Sequence, residues 1–225
     1  MSLALPPCPA TLKSIQHFLK LASEHDSRDP VISYWARLTA LQTGLTLDKS
    51  SKEALAVLLP LMDWLEKEKA ENQDNEAISH EVVASAHVEN YAMRLFLFAD
   101  KNDRASNFGK SVVKCFYSAG VLFDIMQTFG ELTPENAHYR KYAKMKAAYI
   151  HNCLKNGETP VAGPLVDDEE EAEDSTEIPE DSHPPSDNTQ TVPAAAPSAP
   201  AVAPSAPAPS APAGSMSNMS ISSPR

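Results

Sequence analysis

The feature that most restricts this chain is a change of composition near residue 160. From there it reads "LVDDEEEAEDSTEIPEDSHPPSD" and then "VPAAAPSAPAVAPSAPAPSAPAGS". Like charges repel, proline forbids helix and sheet pairing, and too few apolar groups remain to offset the entropy of ordering. Residues 159–225 are therefore expected to form a disordered tail, acidic first and Pro/Ala/Ser-rich after. The same break divides the charge. Residues 161–225 hold eleven of the 30 Asp and Glu but only Arg225 of the 19 Lys and Arg, so −10 of the net −11 lies in the tail. Whatever folds must come from about the first 158 residues, enough for one ordinary domain or two small ones.

Within that part nearly every segment repeats its apolar residues at helical spacing. Residues 10–26 place Leu12, Ile15, Leu19 and Ala22 on one stripe. In "RDPVISYWARLTALQTG", Asp29 can cap a helix, Pro30 suits its first position and Gly44 can end it. Between them Val31, Tyr34, Trp35, Leu38, Leu41 and Leu45 recur. A third helix is expected over 51–70 behind Ser50 or Ser51. A fourth spans 75–99, with Ile78, Val82, Ala86 and Met93 inward. "DKNDRAS" reads as a loop leading to a helix over 105–129, where Val112, Phe116, Ala119, Phe123 and Met126 repeat. Thr133, Pro134 and Gly157 then bracket the last helix. No segment alternates with period two, and seven glycines are few for the turns of a β fold. The expected class is all-α. Short links favour antiparallel neighbours. The polar stretch "EKEKAENQDNE" (66–76) divides the helices into a bundle over 10–72 and another over 73–158, after a flexible N-terminus at 1–9.

Several functions are disfavoured at this level. The first 160 residues are nearly neutral and carry no basic stripe, which argues against nucleic-acid binding. No P-loop, GxGxxG, GxSxG or HExxH motif is present, so neither a cofactor nor a catalytic centre is implied. His80 and His87 lie two turns apart on one helix, but no further metal ligand accompanies them. "DKNDR" lacks the length, central Gly and terminal Glu of a calcium loop. Cys8, Cys115 and Cys153 form no CxxC pair, and the latter two fall on apolar faces. The first residues have no basic region or long apolar core. No apolar run approaches the ~18–20 residues that span a bilayer. A soluble, cytoplasmic protein is expected.

What stands out is surplus apolar surface. On the third helix Leu55, Leu58, Leu59, Met62 and Leu65 form one stripe, and Val57, Leu61 and Trp64 a second. Together they cover about 220° of the helix, where one buried face needs roughly 100–140°. The surplus is either packing between two neighbours or a groove for an amphipathic helix. Asp63, Glu66 and Glu68 beside it would favour a ligand with basic residues. Pro60 should kink this helix. The last helix has the opposite charge: Arg140, Lys141, Lys144, Lys146 and Lys155 accompany Tyr139, Tyr142, Met145, Tyr149 and Ile150. That face is a solvated surface, a docking site, or a contact for an anionic membrane.

The stretches "LKSIQHFLKLASEHDSRDPVISYWARLTALQTG", "DNEAISHEVVASAHVENYAMRLFLFADKNDRASNF" and "YIHNCLKNGETPVAGP" closely resemble the Vta-one family over about residues 10–164. The resemblance implies two tandem three-helix MIT-type bundles that bind C-terminal helices of ESCRT-III subunits, the charged multivesicular body proteins. It further implies a linker and a small C-terminal domain that dimerises and regulates the Vps-four AAA ATPase. The product would be a non-enzymatic adaptor of multivesicular-body sorting, held peripherally on the endosome membrane through its partners. By resemblance, Tyr34, Leu38, Leu58, Met62 and Leu65 line the groove of the first bundle, and Met145 and Tyr149 lie on a surface of the second that another subunit wraps. After the Pro/Ala tract "MSNMSISSPR" shows no amphipathic helix, so the ATPase-binding domain is expected to be absent from this chain.

Overall fold

The computed structural model describes residues 3–164, all within one compact unit. The expected disorder of residues 165–225 lies outside the described residues. Every described element is helical. A 3-10 turn, Ala10–Ile15, runs into α1, Gln16–His25. There follow α2 (Pro30–Leu47), α3 (Lys52–Glu71), the single turn α4 (Glu76–Ser79), α5 (Glu81–Arg104), α6 (Lys110–Met126), a 3-10 turn at Gln127–Phe129, and α7 (Pro134–Asn156).

Local chemistry sets most boundaries. Asp29 Oδ1 accepts from Ile32 N at 3.2 Å and Pro30 follows as the first helical residue of α2. Ser51 Oγ and Thr133 Oγ1 cap α3 and α7 in the same way, at 3.1 and 3.2 Å. Gly157 closes α7 at φ +74°, where Glu158 N returns to Cys153 O at 2.8 Å. α3 runs unbroken through Pro60.

Two expectations about the middle of the chain are corrected. The fourth helix is interrupted at His80, which has extended backbone, and α5 then continues to Arg104 through the stretch expected as a loop. Asp100 pairs with Arg104 at 2.7 Å one turn on, and Lys101 and Arg104 suit a helix C-terminus. The break also resets the helical phase. The inward stripe of α5 is Ala84, Val88, Ala92, Phe96 and Ala99, while Val82 and Ala86 are exposed and Met93 is half-buried. Small alanines let neighbouring helices come close; hydrophobicity alone would have chosen Val82. The termini are corrected too. Leu3, Leu5 and Cys8 pack partly buried against the core, and residues 158–164 lie along the second set of helices.

α1, α2 and α3 pack as one antiparallel set around α2, and α5, α6 and α7 as another around α6. A single apolar core runs through both. α2 also touches α4, α5 and α6, so it is enclosed on nearly every side from Val31 to Leu41. At its far end Gly44 faces α3: a Cβ there would stand 2.7 Å from the Leu58 side chain. Any larger residue there would displace the tip of the buried Leu58 side chain.

Candidate functional site

The aromatic surface of α2 is used inside the molecule. Trp35 is 4% exposed. Its ring lies 4.6 Å from that of Phe129, and its N–H donates to Ala77 O at 2.8 Å. Both partners lie beyond α3, Ala77 in α4 and Phe129 after α6. Around this contact runs a polar seam. Thr39 and Thr128 hydroxyls meet at 2.9 Å, Lys114 pairs with Glu24 at 2.9 Å, and His87 Nε2 donates to Asp29 Oδ2 at 2.8 Å. His25 Nδ1 must donate to Leu21 O at 2.8 Å, because a carbonyl only accepts. Its neutral Nε2 is then the acceptor for Tyr91 O–H at 3.0 Å. Burial lowers the pKa of His25, outweighing that backbone hydrogen bond and nearby carboxylates, which raise it. At Asp29 burial acts to raise the carboxyl, but the hydrogen bond and charge of His87 and the Ile32 N–H leave it below its ordinary value.

A second buried cluster ties α2 to its neighbours. Arg37 grips Asp26 with both amino groups at 2.6 and 3.1 Å, contacts Ser33 Oγ, and lies 4.3 Å over the Trp64 ring of α3. Burial pushes the Asp26 carboxyl up, and the hydrogen bonds from Arg37 and Ser33 bring it below the usual range.

Of the residues assigned to a first groove, Tyr34, Leu58 and Leu65 are core, at 4%, 2% and 4% exposure. Leu38 is half-buried, and Met62 reaches solvent. The surplus of α3 is nevertheless real. Leu55, Leu59 and Met62 repeat at i, i+4, i+7, with Leu59 48% and Met62 36% exposed, and exposed Asp63 and Glu66 beside them. Val57 and Leu61 of the second stripe are buried.

On α7, Met145 and Tyr149 are half-buried one turn apart. The basic face around them is much reduced. Arg140 and Lys144 both bind Asp124 of α6, at 2.5 and 2.7 Å, and Lys146 is fully buried against Asp103 at 2.9 Å. Only Lys141 and Lys155 of the five stand exposed. Ile150 is core. A cationic membrane-facing stripe is therefore not assembled. The Asp103–Lys146 pair carried no sequence signal, since the two residues are far apart in the chain. Val82, Leu97 and Phe98 are also exposed, unanticipated, on α5.

His80 and His87 do not converge on a site. His87 is engaged with Asp29, and His80 Nδ1 lies 3.0 Å from Ser79 Oγ. Among the described residues no group of three His, Cys, Asp or Glu is placed to hold a metal ion, and no helix is long and apolar enough to cross a membrane. Cys115 and Cys153 are buried, as the apolar faces imply.

With this geometry in hand, comparison with known proteins is specific. The family model described as "Vta1 like" matches residues 14–156. The mouse vacuolar protein sorting-associated protein VTA1 homolog is 53% identical over 175 residues, 77% of this chain and 57% of its own. The human homolog is 51% identical over 200 residues, 86% of this chain and 65% of its own. An Arabidopsis thaliana protein named as a homolog of mammalian LYST-interacting protein 5 is 33% identical over 159 residues, 70% of this chain and 36% of its own. The chain thus spans roughly 57–65% of the length of these animal relatives. An all-helical core whose matched span runs from Ser14 to the end of α7 places this chain in the Vta1-like family.

Proposed function

We propose that this chain is a non-enzymatic adaptor of vacuolar and endosomal protein sorting that holds amphipathic helices, in particular the C-terminal helices of ESCRT-III subunits. The names of its relatives support the sorting role. The observation that carries the helix-holding role is the row of α3 formed by half-buried Leu55 and exposed Leu59 and Met62, edged by Asp63 and Glu66. Leu59 and Met62 are left exposed, so the row is open to the apolar face of an amphipathic ligand helix. In this reading Leu38 and Met62 contact the ligand helix, Tyr34, Leu58 and Leu65 support them from the core, and a second subunit meets Met145 and Tyr149. On the same reading the chain holds two MIT-type bundles, over residues 10–72 and 73–158. Regulation of the Vps-four ATPase is the role that the resemblance gives to the family's C-terminal domain. Membrane association would be peripheral and through partners, because the basic residues of α7 are largely engaged within the fold.

Magnitudes set the expected affinity. Burying Leu59 and Met62 contributes about 1.5–3 kcal/mol each before losses. Micromolar affinity needs about 8 kcal/mol, so basic residues of the ligand must engage Asp63 and Glu66 and further apolar contacts must form. The test is fluorescence anisotropy of the full chain with labelled C-terminal helices of ESCRT-III subunits. Met62→Asp and Leu59→Asp should each weaken binding by about tenfold or more while circular dichroism stays unchanged. Retained binding in both variants would remove the α3 row from the function.

A further inference from the structure

Residues 158–164, after the Gly157 cap of α7, are fastened to the second helical set by side chains that act on main-chain groups. Lys146 Nζ donates to Gly163 O at 2.8 Å and Val161 O at 3.3 Å. Gly163 N donates to Asp103 Oδ2 at 3.0 Å, and Val161 N donates to Tyr149 Oη at 3.0 Å. Lys146 and Asp103 are both wholly buried, and Pro160 and Gly163 are buried with them. An ion pair taken out of water needs its remaining hydrogen-bonding groups satisfied. Here the segment 158–164 satisfies them, so the bundle is complete only with the segment in place. Val161 itself points outward at 62% exposure, so side-chain burial contributes little there. Gly163 sits at φ +78°, a conformation a β-branched residue avoids, and a Cβ there would meet nothing within 4 Å.

We propose that residues 158–164 are a cis latch, held by Asp103, Lys146 and Tyr149, which a partner must lift before it can wrap the Met145–Tyr149 face. The latch uses the Tyr149 hydroxyl directly and covers Lys146, which lies between Met145 and Tyr149 on α7. Bound and latched states therefore compete, and the apparent affinity falls with the fraction of unlatched molecules. The second half of this proposal rests on the partner reading above; the latch itself does not.

Gly163→Val separates the two, because it strains only the backbone of the latch and adds nothing to the core. Gly163→Asn, which tolerates positive φ, serves as control. Hydrogen exchange on the full chain should show the Val161 and Gly163 amides protected in the native chain and in Gly163→Asn. In Gly163→Val the amides of residues 161 and 163 should exchange about tenfold faster or more, with α5–α7 unchanged. The labelled ESCRT-III peptides that bind the second set should then bind Gly163→Val about tenfold tighter than the native chain. Unprotected amides in the native chain, or protection surviving Gly163→Val, would overturn the latch. Released amides with unchanged peptide affinity would overturn its gating role. Protected native amides with no peptide bound even after release would also overturn the gating role, and would place the failure in the partner reading while leaving the latch standing.

Discussion

α2 and α3 both carry more apolar surface than one buried face requires, and the molecule treats them in opposite ways. α2 is enclosed: Val31, Tyr34, Trp35 and Leu41 are core, and even Ser33, Arg37 and Thr39 are buried with partners. α3 lies at the edge of its set, so Val57, Leu58, Leu61 and Leu65 are used inside while Leu59 and Met62 remain outward. Equal surplus thus has two meanings. In α2 it joins the two halves of one core; in α3 part of it faces solvent at Leu59 and Met62. Neighbours, not composition, make the difference.

This contrast can be broken at several points. The largest loss is expected for Trp35→Ala, which empties a core site at the seam and removes the donor to Ala77 O. Urea unfolding should show about 3–5 kcal/mol lost. A loss below about 1 kcal/mol would mean that the seam contributes little. Tyr91→Phe leaves the buried His25 Nε2 without its donor and should cost about 1–3 kcal/mol.

Acidification probes the same seam. Burial lowers the folded-state pKa of His25 and, against nearby Asp124, of His17 below the ordinary 6.5. The unfolded chain then binds more protons. The stability these residues contribute is present above 6.5 and is lost as pH falls through their depressed folded values. Thermal melts between pH 7.5 and 5 should show Tm falling, with the fall reduced in His25→Gln; a flat profile would exclude a neutral His25. The smallest effect on stability, within about 0.5–1 kcal/mol, is expected for Met62→Asp. That variant should nevertheless lose peptide binding. A large stability loss would move Met62 into the core and erase the distinction between the two helices.

Much of the fold was legible in local signals. Asp29–Pro30, Ser51, Thr133–Pro134 and Gly157 mark helix ends where the structure has them, and the stripe from Val112 to Met126 is buried as its spacing implies. These signals work because capping and amphipathicity depend on residues within a few positions of each other. The candidate site was legible only in part. Met62 could be picked out by spacing, but the spacing that selected it also selected Leu58 and Leu65, which are core. Periodicity identifies a stripe without saying how many neighbours compete for it.

By itself the sequence determined the all-α class, most helix ends, the division between a neutral helical part and an acidic tail, and a family resemblance that the Vta1-like match substantiates. Only the tertiary structure decided that Trp35 joins the two halves, that the basic residues of α7 are mostly engaged, and that the stretch after Gly157 is fastened to Asp103 and Lys146. The reason is range. Caps and stripes are written within one or two helical turns. The burial of a side chain and the partner of a charge depend on residues tens of positions away, which only the folded chain brings together.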